Sequence, residues 1–134
     1  LSGLLGREDH RIIVVGDWNI LYGYGEEGST YWKGRYQTVF DRMEALGLRF
    51  VGPQQPNGRA AKRPLEEEPA ESLNVPTRRS PTPRGHKNHL AYRQLDFAFA
   101  SESIADSLTV WALNAPQEWG PSDHCRILIE IDER

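Results

Sequence analysis

An acid and an amide stand two residues apart at Asp17 and Asn19, directly after an apolar run. Residues two apart near the end of a strand project to the same side, so both side chains would share one edge. A carboxylate can hold a metal ion or move a proton, and an amide can bind phosphate oxygens without adding negative charge. The alternative is an ordinary turn, because Gly16, Asp17 and Asn19 are all of turn-forming types.

Two further groups offer an acid and an imidazole. Asp96 lies on a face of a predicted strand that otherwise carries alanines, so its carboxylate would be partly buried and would need a hydrogen-bonding partner. His124 follows Ser122 and Asp123 in a predicted loop, and its imidazole is the best general base near neutral pH. The alternatives are an edge-strand acid that faces water and a capped loop before a strand.

The acids and the imidazole are more specific as a combination than singly. Asp96 and His124 would form a pair in which the acid fixes the imidazole tautomer. Asp17 and Asp123 offer oxygen ligands for Mg²⁺, which typically takes one or two carboxylates, several waters and substrate phosphate oxygens. Together these side chains are the groups that metal-assisted hydrolysis of a phosphoester needs, with water attacking phosphorus in line. A Ser122 nucleophile is disfavoured, because it lies outside a strand–turn–helix elbow.

The elements that must position these residues follow from the apolar pattern. Residues 11–16 are a β-branched run that predicts a strand covered on both faces. Further strands are predicted over 48–51, 94–100, 108–113 and 125–131. One long helix is predicted before Gly47, which stands where a helix stop belongs; its apolar residues recur at helical spacing and are Tyr36, Val39, Phe40, Met43 and Leu46. Strands with one long helix indicate an α/β or α+β layered domain.

Length and composition exclude several classes of protein. The chain has 134 residues, which is room for one small domain. No apolar run approaches the roughly 18 residues that a membrane span needs. A net charge of −3 argues against a generic nucleic-acid-coating protein, and the single cysteine excludes an internal disulfide framework or a cysteine-rich zinc site. An intracellular location is the expectation.

The middle of the chain differs in composition from both ends. Residues 53–93 hold seven of the nine prolines and few apolar side chains. Within this stretch, residues 53–72 are predicted to form a mobile loop, because they cannot bury enough apolar surface to offset the entropy of ordering them.

The chain resembles the endonuclease/exonuclease/phosphatase superfamily, which includes DNase I-like nucleases and inositol-phosphate phosphatases. The resemblance runs through nearly the whole chain apart from the predicted loop. It rests on three ordered motifs, which are Gly16-Asp17-Trp18-Asn19, Gln94-Leu95-Asp96-Phe97-Ala98-Phe99-Ala100-Ser101 and Gly120-Pro121-Ser122-Asp123-His124. It implies an α+β fold that is part of a four-layer α/β/β/α sandwich, with mostly one sheet and one long helix present in this chain.

The resemblance also implies a role for each site residue. Asp17 would handle the proton or the leaving group and help to hold the metal, and Asn19 would bind the scissile phosphate. Asp96 would hydrogen-bond His124, which would act as a base or as a phosphate-stabilising acid. Asp123 would be a metal ligand or would support one. The implied cofactor is Mg²⁺, or Mn²⁺ in its place.

Members of this family are usually about twice as long, and their N-terminal half carries a metal-binding Glu. Residues 1–134 are therefore expected to be the C-terminal portion of one such domain, with little activity until the missing N-terminal half joins it. The alternative is a non-catalytic remnant or binding module that keeps half of the fold.

The expected substrate carries phosphate. No acidic residue lies between Ser72 and Leu95, whereas five basic residues do, so this stretch could attract a polyanion or could be a solvated basic loop. Thr77 and Arg93 could contact phosphate, and Trp119 is the best candidate for stacking on a base, although packing is the commoner fate of a tryptophan. The balance slightly favours nucleic acid, while nuclease and small-molecule phosphatase both stay open.

Overall fold

A computed structural model describes residues 10–23, 29–60, 68–69, 71–79 and 92–132 of the chain. The described helices are α1 (Thr30–Ala45) and α2 (Glu102–Ala105). The described strands, in chain order, are β1 (Ile13–Asp17), β2 (Leu48–Gly52), β3 (Arg78–Arg79), β4 (Tyr92–Arg93), β5 (Asp96–Ser101), β6 (Leu108–Leu113) and β7 (Arg126–Ile131). The fold is therefore a mixture of helix and sheet, as expected.

The largest sheet has three antiparallel strands in the order β1-β5-β2. The central strand β5 is buried along its whole length, and its side chains alternate as predicted. Phe97 and Phe99 face the cluster that includes helix α1, whereas Ala100 belongs to a second cluster with Ile104 and Ala105 of α2. Phenylalanine on one face and alanine on the other lets a helix cover one side of the sheet while backbone approaches the other.

Helix α1 covers the aromatic face of this sheet. It buries Phe40 and Met43 against the sheet, which is the face that the apolar spacing predicts. The helix begins six residues before Tyr36, the first apolar position of that pattern. It ends before Gly47, whose φ of 82° lies in the left-handed region that glycine adopts without a steric penalty.

An aromatic cluster joins the helix to the sheet. Phe40 of α1 packs edge-on against Phe97, with ring centroids 5.2 Å apart, and also contacts Phe50 of β2. Trp18 packs edge-on against Phe99 and donates its indole N–H to the Phe97 carbonyl. Trp18 is therefore a core residue, which is the commoner of the two fates considered for the tryptophans.

Strand β1 is less covered than the sequence predicts. Its run of β-branched residues indicates burial on both faces, but Val15 is 46% exposed. The reason is its place in the sheet, because β1 lies at one edge of the order β1-β5-β2. A β-branched run fits an edge strand as well as a central one, so the sequence pattern does not separate the two.

The strands are divided among three sheets rather than mostly one. Besides the three-stranded sheet, β3 pairs with β4 and β6 pairs with β7, each pair antiparallel. Strand β6 packs against β2, on the side of the sheet away from α1. The described residues thus place helix α1 on one side of the three-stranded sheet and strand β6 of a two-stranded sheet on the other.

Residues 53–60 open the segment for which the composition predicts a mobile loop, and they are packed against neighbouring elements. The Asn57 carbonyl accepts a hydrogen bond from the Ala112 amide at 2.9 Å, and the Arg59 amide donates to the Asn114 side chain at 2.7 Å. An added Cβ on Gly58 would lie 3.1 Å from the Ala112 Cβ, so this segment approaches β6 closely. Residues 61–67 and 70 lie outside the described residues.

Within the described ranges, neither helix combines the length and the apolar character that crossing a membrane requires.

Candidate active site

Thr77 and the short strand β3 that follows it bring the acid and the imidazole of the predicted site together. On one side β3 pairs with β4, with Arg78 opposite Arg93, and β4 leads after two residues into Asp96. On the other side Arg78 forms an antiparallel bridge with His124. Residues 77–79 therefore lie between the segments that carry Asp96 and His124, which are 28 positions apart in the chain.

Asp96 and His124 form a short hydrogen bond. The Nδ1 atom of His124 lies 2.8 Å from Oδ2 of Asp96, and the Asp96 side chain is only 11% exposed. Because an ionised carboxylate only accepts hydrogen bonds, Nδ1 carries the proton and donates it. The other ring nitrogen, Nε2, is then the atom that can accept or donate a proton in chemistry.

Asp17 lies on the other side of the imidazole. It stands directly opposite Asp96 in the pairing of β1 with β5, and its Oδ2 lies 3.6 Å from Nε2 of His124. The other carboxylate oxygen of Asp17, Oδ1, accepts a hydrogen bond from the backbone amide of Asn19 at 2.9 Å. The imidazole is therefore flanked by two carboxylates, one on each nitrogen.

Asn19 lies two residues after the end of β1, and the position of its side chain at this edge stays a prediction. Asn19 is exposed and has a φ of 51°, a left-handed conformation that asparagine tolerates better than most residues. The bond from its amide to Asp17 closes a tight turn of the kind that the sequence also allows. The turn that the sequence also allows is therefore present, and its backbone hydrogen bond engages Oδ1 of Asp17.

Asp123 is placed differently from Asp17. Its side chain is 48% exposed, and its Oδ2 lies 3.9 Å from Nε of Arg78. Among the residues that the structure describes, no group of three His, Cys, Asp or Glu side chains is arranged to hold a metal ion. The predicted donors Asp17 and Asp123 are carboxylates, of which Mg²⁺ typically takes one or two beside waters and substrate phosphate oxygens.

Two residues predicted to contact phosphate are buried instead. Thr77 is 0% exposed and Arg93 is 4% exposed. Thr77 accepts two backbone hydrogen bonds with its hydroxyl, so it faces the protein rather than a cleft. The sequence does not reveal this, because threonine is mostly exposed in folded proteins and a buried one is the exception.

Trp119 is also buried, with 8% of its surface exposed. It packs with Val75, Ala112 and Cys125, and its indole N–H donates to the Asn114 carbonyl at 2.9 Å. The Arg79 guanidinium lies over the ring, 5.2 Å from the centroid. A nucleic-acid base could not stack on this ring unless Arg79 moved, so the structure places Trp119 in the core and not in a binding surface.

Arg79 belongs to the basic stretch of the sequence but holds the loop before His124. Its backbone amide donates to the Asp123 carbonyl at 2.7 Å, its Nε donates to the Ser122 carbonyl at 3.3 Å, and another guanidinium nitrogen donates to the Gly120 carbonyl. The sequence does not show that Arg79 fixes this loop, because the role depends on the position of Arg79 in a strand beside the loop.

Cys125, next to His124, is unsuited to act as a nucleophile. Burial raises the pKa of its thiol to about 12, and the nearby negative charge of Asp96 adds to the shift. The thiol is therefore protonated near neutral pH, whereas the thiolate is the reactive form. Cys125 instead packs in a buried cluster with Val75, Ala112 and Trp119.

Comparisons of this chain with protein-family models, with curated proteins and with solved structures give no match. The geometry of the site therefore carries the functional argument.

Proposed function

We propose that this site hydrolyses phosphoesters, with water attacking phosphorus and the Asp96–His124 pair handling the proton. The observation that supports it best is the hydrogen bond of 2.8 Å between Nδ1 of His124 and Asp96, with Nε2 turned toward Asp17. This is the arrangement in which a carboxylate fixes the tautomer and orientation of a catalytic imidazole.

Each residue has a distinct part in the proposed reaction. His124 uses Nε2 as a base toward the attacking water or, once protonated, as an acid that stabilises charge on the phosphate. Asp96 holds the ring in place and stabilises its positive charge. Asp17 lies 3.6 Å from Nε2 and is placed to handle the proton of the leaving group, while Asn19 binds the scissile phosphate.

Mg²⁺, or Mn²⁺ in its place, completes the proposal. Asp17 and Asp123 are the residues that would hold the ion, which when bound would neutralise charge on the phosphate and polarise the water. Because these residues supply at most two carboxylates, we expect weak binding of the ion in the absence of substrate.

We favour nucleic acid as the substrate. Arg78 lies directly beside His124 in the backbone pairing and places positive charge at the site. Arg84 and Lys87, which continue the basic stretch, lie outside the described residues. Positive charge at a catalytic site raises the local concentration of a polyanion, but it also suits a smaller phosphate ester.

We further propose that an N-terminal half of the same domain completes this one and supplies the fourth layer of an α/β/β/α sandwich. Two observations support a covering partner. Val15 of β1 and Ile131 of β7 are large apolar side chains that are about half exposed, at 46% and 56%. In addition, no three-ligand metal group occurs among the described residues, so a further ligand is needed for tight metal binding.

The test is an assay of the natural full-length polypeptide with Mg²⁺ on plasmid DNA, abasic DNA, RNA and inositol phosphates. We expect His124→Ala and Asp17→Asn each to lower hydrolysis by about 10²–10⁴-fold, the range of general acid–base catalysis, while the fold stays intact by circular dichroism. His10→Ala and Asp106→Asn are matched controls, because His10 precedes the far end of β1 and Asp106 pairs with Arg49.

Unchanged turnover in His124→Ala or Asp17→Asn would contradict the assigned roles. No hydrolysis of any substrate by the full-length protein would contradict the proposed enzymatic activity and favour the non-catalytic binding module.

A further inference from the structure

We propose that Thr77 is the positioning residue that sets the geometry of the Asp96–His124 pair. Its catalytic consequence rests on the proposed hydrolysis, whereas its structural consequence stands independently. The hydrogen bonds of Thr77 go to backbone groups next to the pair and not to its side chains, so its influence passes through the backbone on both sides.

The Thr77 hydroxyl holds the start of β5. Its Oγ1 accepts hydrogen bonds from the Leu95 amide at 3.0 Å and from the Asp96 amide at 3.1 Å. Two consecutive amides of an extended chain point in different directions, so one acceptor that serves both fixes a local bend. That bend sets where the Asp96 side chain leaves the backbone.

The backbone of Thr77 is hydrogen-bonded to Arg93, which precedes β5, and to Cys125, which precedes β7. Its carbonyl accepts a hydrogen bond from the Cys125 amide at 2.8 Å, and its own amide donates to the Arg93 carbonyl at 2.9 Å. Cys125 directly follows His124, so the same residue is bonded to the segments that carry the acid and the imidazole. The side chain and the backbone of Thr77 together fix the distance between them.

Burial makes these bonds difficult to replace. Thr77 is 0% exposed, so no solvent is at hand to satisfy the two amides if the hydroxyl is removed. We expect the start of β5 to shift until the amides find other partners. A shift near 1 Å would break a hydrogen bond of 2.8 Å and can lower turnover about 10²-fold when it misplaces a catalytic group.

The first measurement does not depend on activity. In ¹H–¹⁵N NMR spectra of side-chain imidazoles, the Nδ1–H proton of His124 should give a slowly exchanging signal in the wild type. We expect this signal to disappear in Thr77→Val, which keeps the shape but loses the acceptor, and in Thr77→Ala. It should return in Thr77→Ser, which restores the hydroxyl.

Ser101→Ala is the matched control. Ser101 is 2% exposed, lies at the opposite end of β5, and likewise accepts a backbone amide with its hydroxyl, from Ile12 at 3.0 Å. We expect this variant to lose stability and to keep the His124 signal. If Thr77→Val does not fold, the comparison of Thr77→Ala with Thr77→Ser decides the question.

The second measurement is kinetic. In the full-length enzyme, Thr77→Val should lower kcat about 10- to 100-fold with little change in KM, and Thr77→Ser should restore most of it. An unchanged His124 signal in Thr77→Val and Thr77→Ala would overturn the inference, as would its loss in Ser101→Ala. Absence of hydrolysis in the wild type would contradict the proposed function alone, because the NMR result decides the role of Thr77 separately.

Discussion

His124 is held by contacts on both ring nitrogens and by backbone bonds on both of its neighbours. Asp96 accepts from Nδ1 at 2.8 Å, and Asp17 lies 3.6 Å from Nε2. The backbone amide of His124 donates to the Ser122 hydroxyl at 3.1 Å. This last bond places the Ser122 hydroxyl in a local turn before the imidazole. The surrounding protein therefore holds the imidazole in one orientation, which in the proposed hydrolysis would reduce the cost of reorganisation.

Cys125 gives a pH-dependent prediction at the scale of one residue. The pKa of its thiol is about 12 in the folded protein, above the value of about 8.5 for an exposed thiol. Because the folded state holds this proton more tightly, the thiol's contribution to stability is complete below about pH 8.5. It should be lost as the pH rises from there toward 12, by at most about 1.4 kcal/mol per pH unit.

The measurement is urea unfolding of the wild type and of Cys125→Ala between pH 7 and pH 11. We expect the difference in unfolding free energy between the two proteins to be constant up to about pH 8.5 and then to shrink or reverse. Titration of other groups cancels in this difference. A difference that stays constant across the whole range would show that the thiol ionises freely in the folded state.

At the scale of elements, two glycines affect helix α1 in opposite ways. Gly34 lowers the helix propensity inside the helix, whereas Gly47 follows its end in a conformation that favours glycine. Gly34 lies inside the helix, and an added Cβ there would meet no atom within 4 Å. Gly47 has a φ of 82°, where a Cβ is strained. The same substitution should therefore have opposite effects at the two positions.

We expect Gly34→Ala to stabilise the protein by about 0.5–1 kcal/mol, because alanine has the higher helix propensity. Gly47→Ala should destabilise it by about 1–2 kcal/mol, because the left-handed conformation is costly for a residue with a Cβ. Thermal or urea unfolding of the two variants checks both values. Equal signs for the two changes would contradict the assigned helix end.

The pairing of β3 with β4, together with the bridge from Arg78 to His124, shows how small elements can position the candidate site. Strands β3 and β4 have only two residues each, yet they connect β5 to the loop before β7. Elements this short are not stable alone. They persist because buried side chains on either side, including Val75 and Gln94, are packed and hydrogen-bonded: the Val75 amide donates to Gln94 Oε1 at 2.9 Å.

At the scale of the whole molecule, the aromatic cluster under helix α1 should account for far more stability than the surface ion pairs. Phe97 is fully buried among Phe40, Phe50 and Phe99. Arg49, by contrast, bonds Asp106 and lies 3.6 Å from Glu102 at a surface where all three side chains are at least 41% exposed. These negative partners raise the pKa of Arg49, chiefly through the hydrogen bond from its guanidinium to Asp106.

We expect Phe97→Ala to destabilise the protein by about 3–5 kcal/mol, because it leaves a cavity in a closely packed cluster. Arg49→Ala should cost about 0–1 kcal/mol, since water and salt screen exposed pairs. Urea unfolding of both variants at moderate salt compares them directly. A larger loss for Arg49→Ala than for Phe97→Ala would contradict this account of the core.

Much of the fold is determined by local patterns. The helical spacing of Phe40 and Met43, the stop at Gly47, and the alternation along residues 96–100 all appear in the structure. These features depend on side-chain periodicity and backbone conformation over a few neighbouring residues. The sequence alone likewise singles out Asp17, Asp96 and His124 as candidate site residues, because their types and the short motifs around them are visible in the chain.

The arrangement of that set depends on long-range pairing instead. Nothing near Thr77 in the chain indicates that its hydroxyl would serve Asp96, 19 positions away, or that Trp119 would lie under Arg79. Burial of Thr77, Arg93 and Trp119 and the edge position of β1 likewise follow from how distant segments meet. Local sequence sets which conformations a segment prefers, whereas the contacts between segments determine which side chains face water and which face each other.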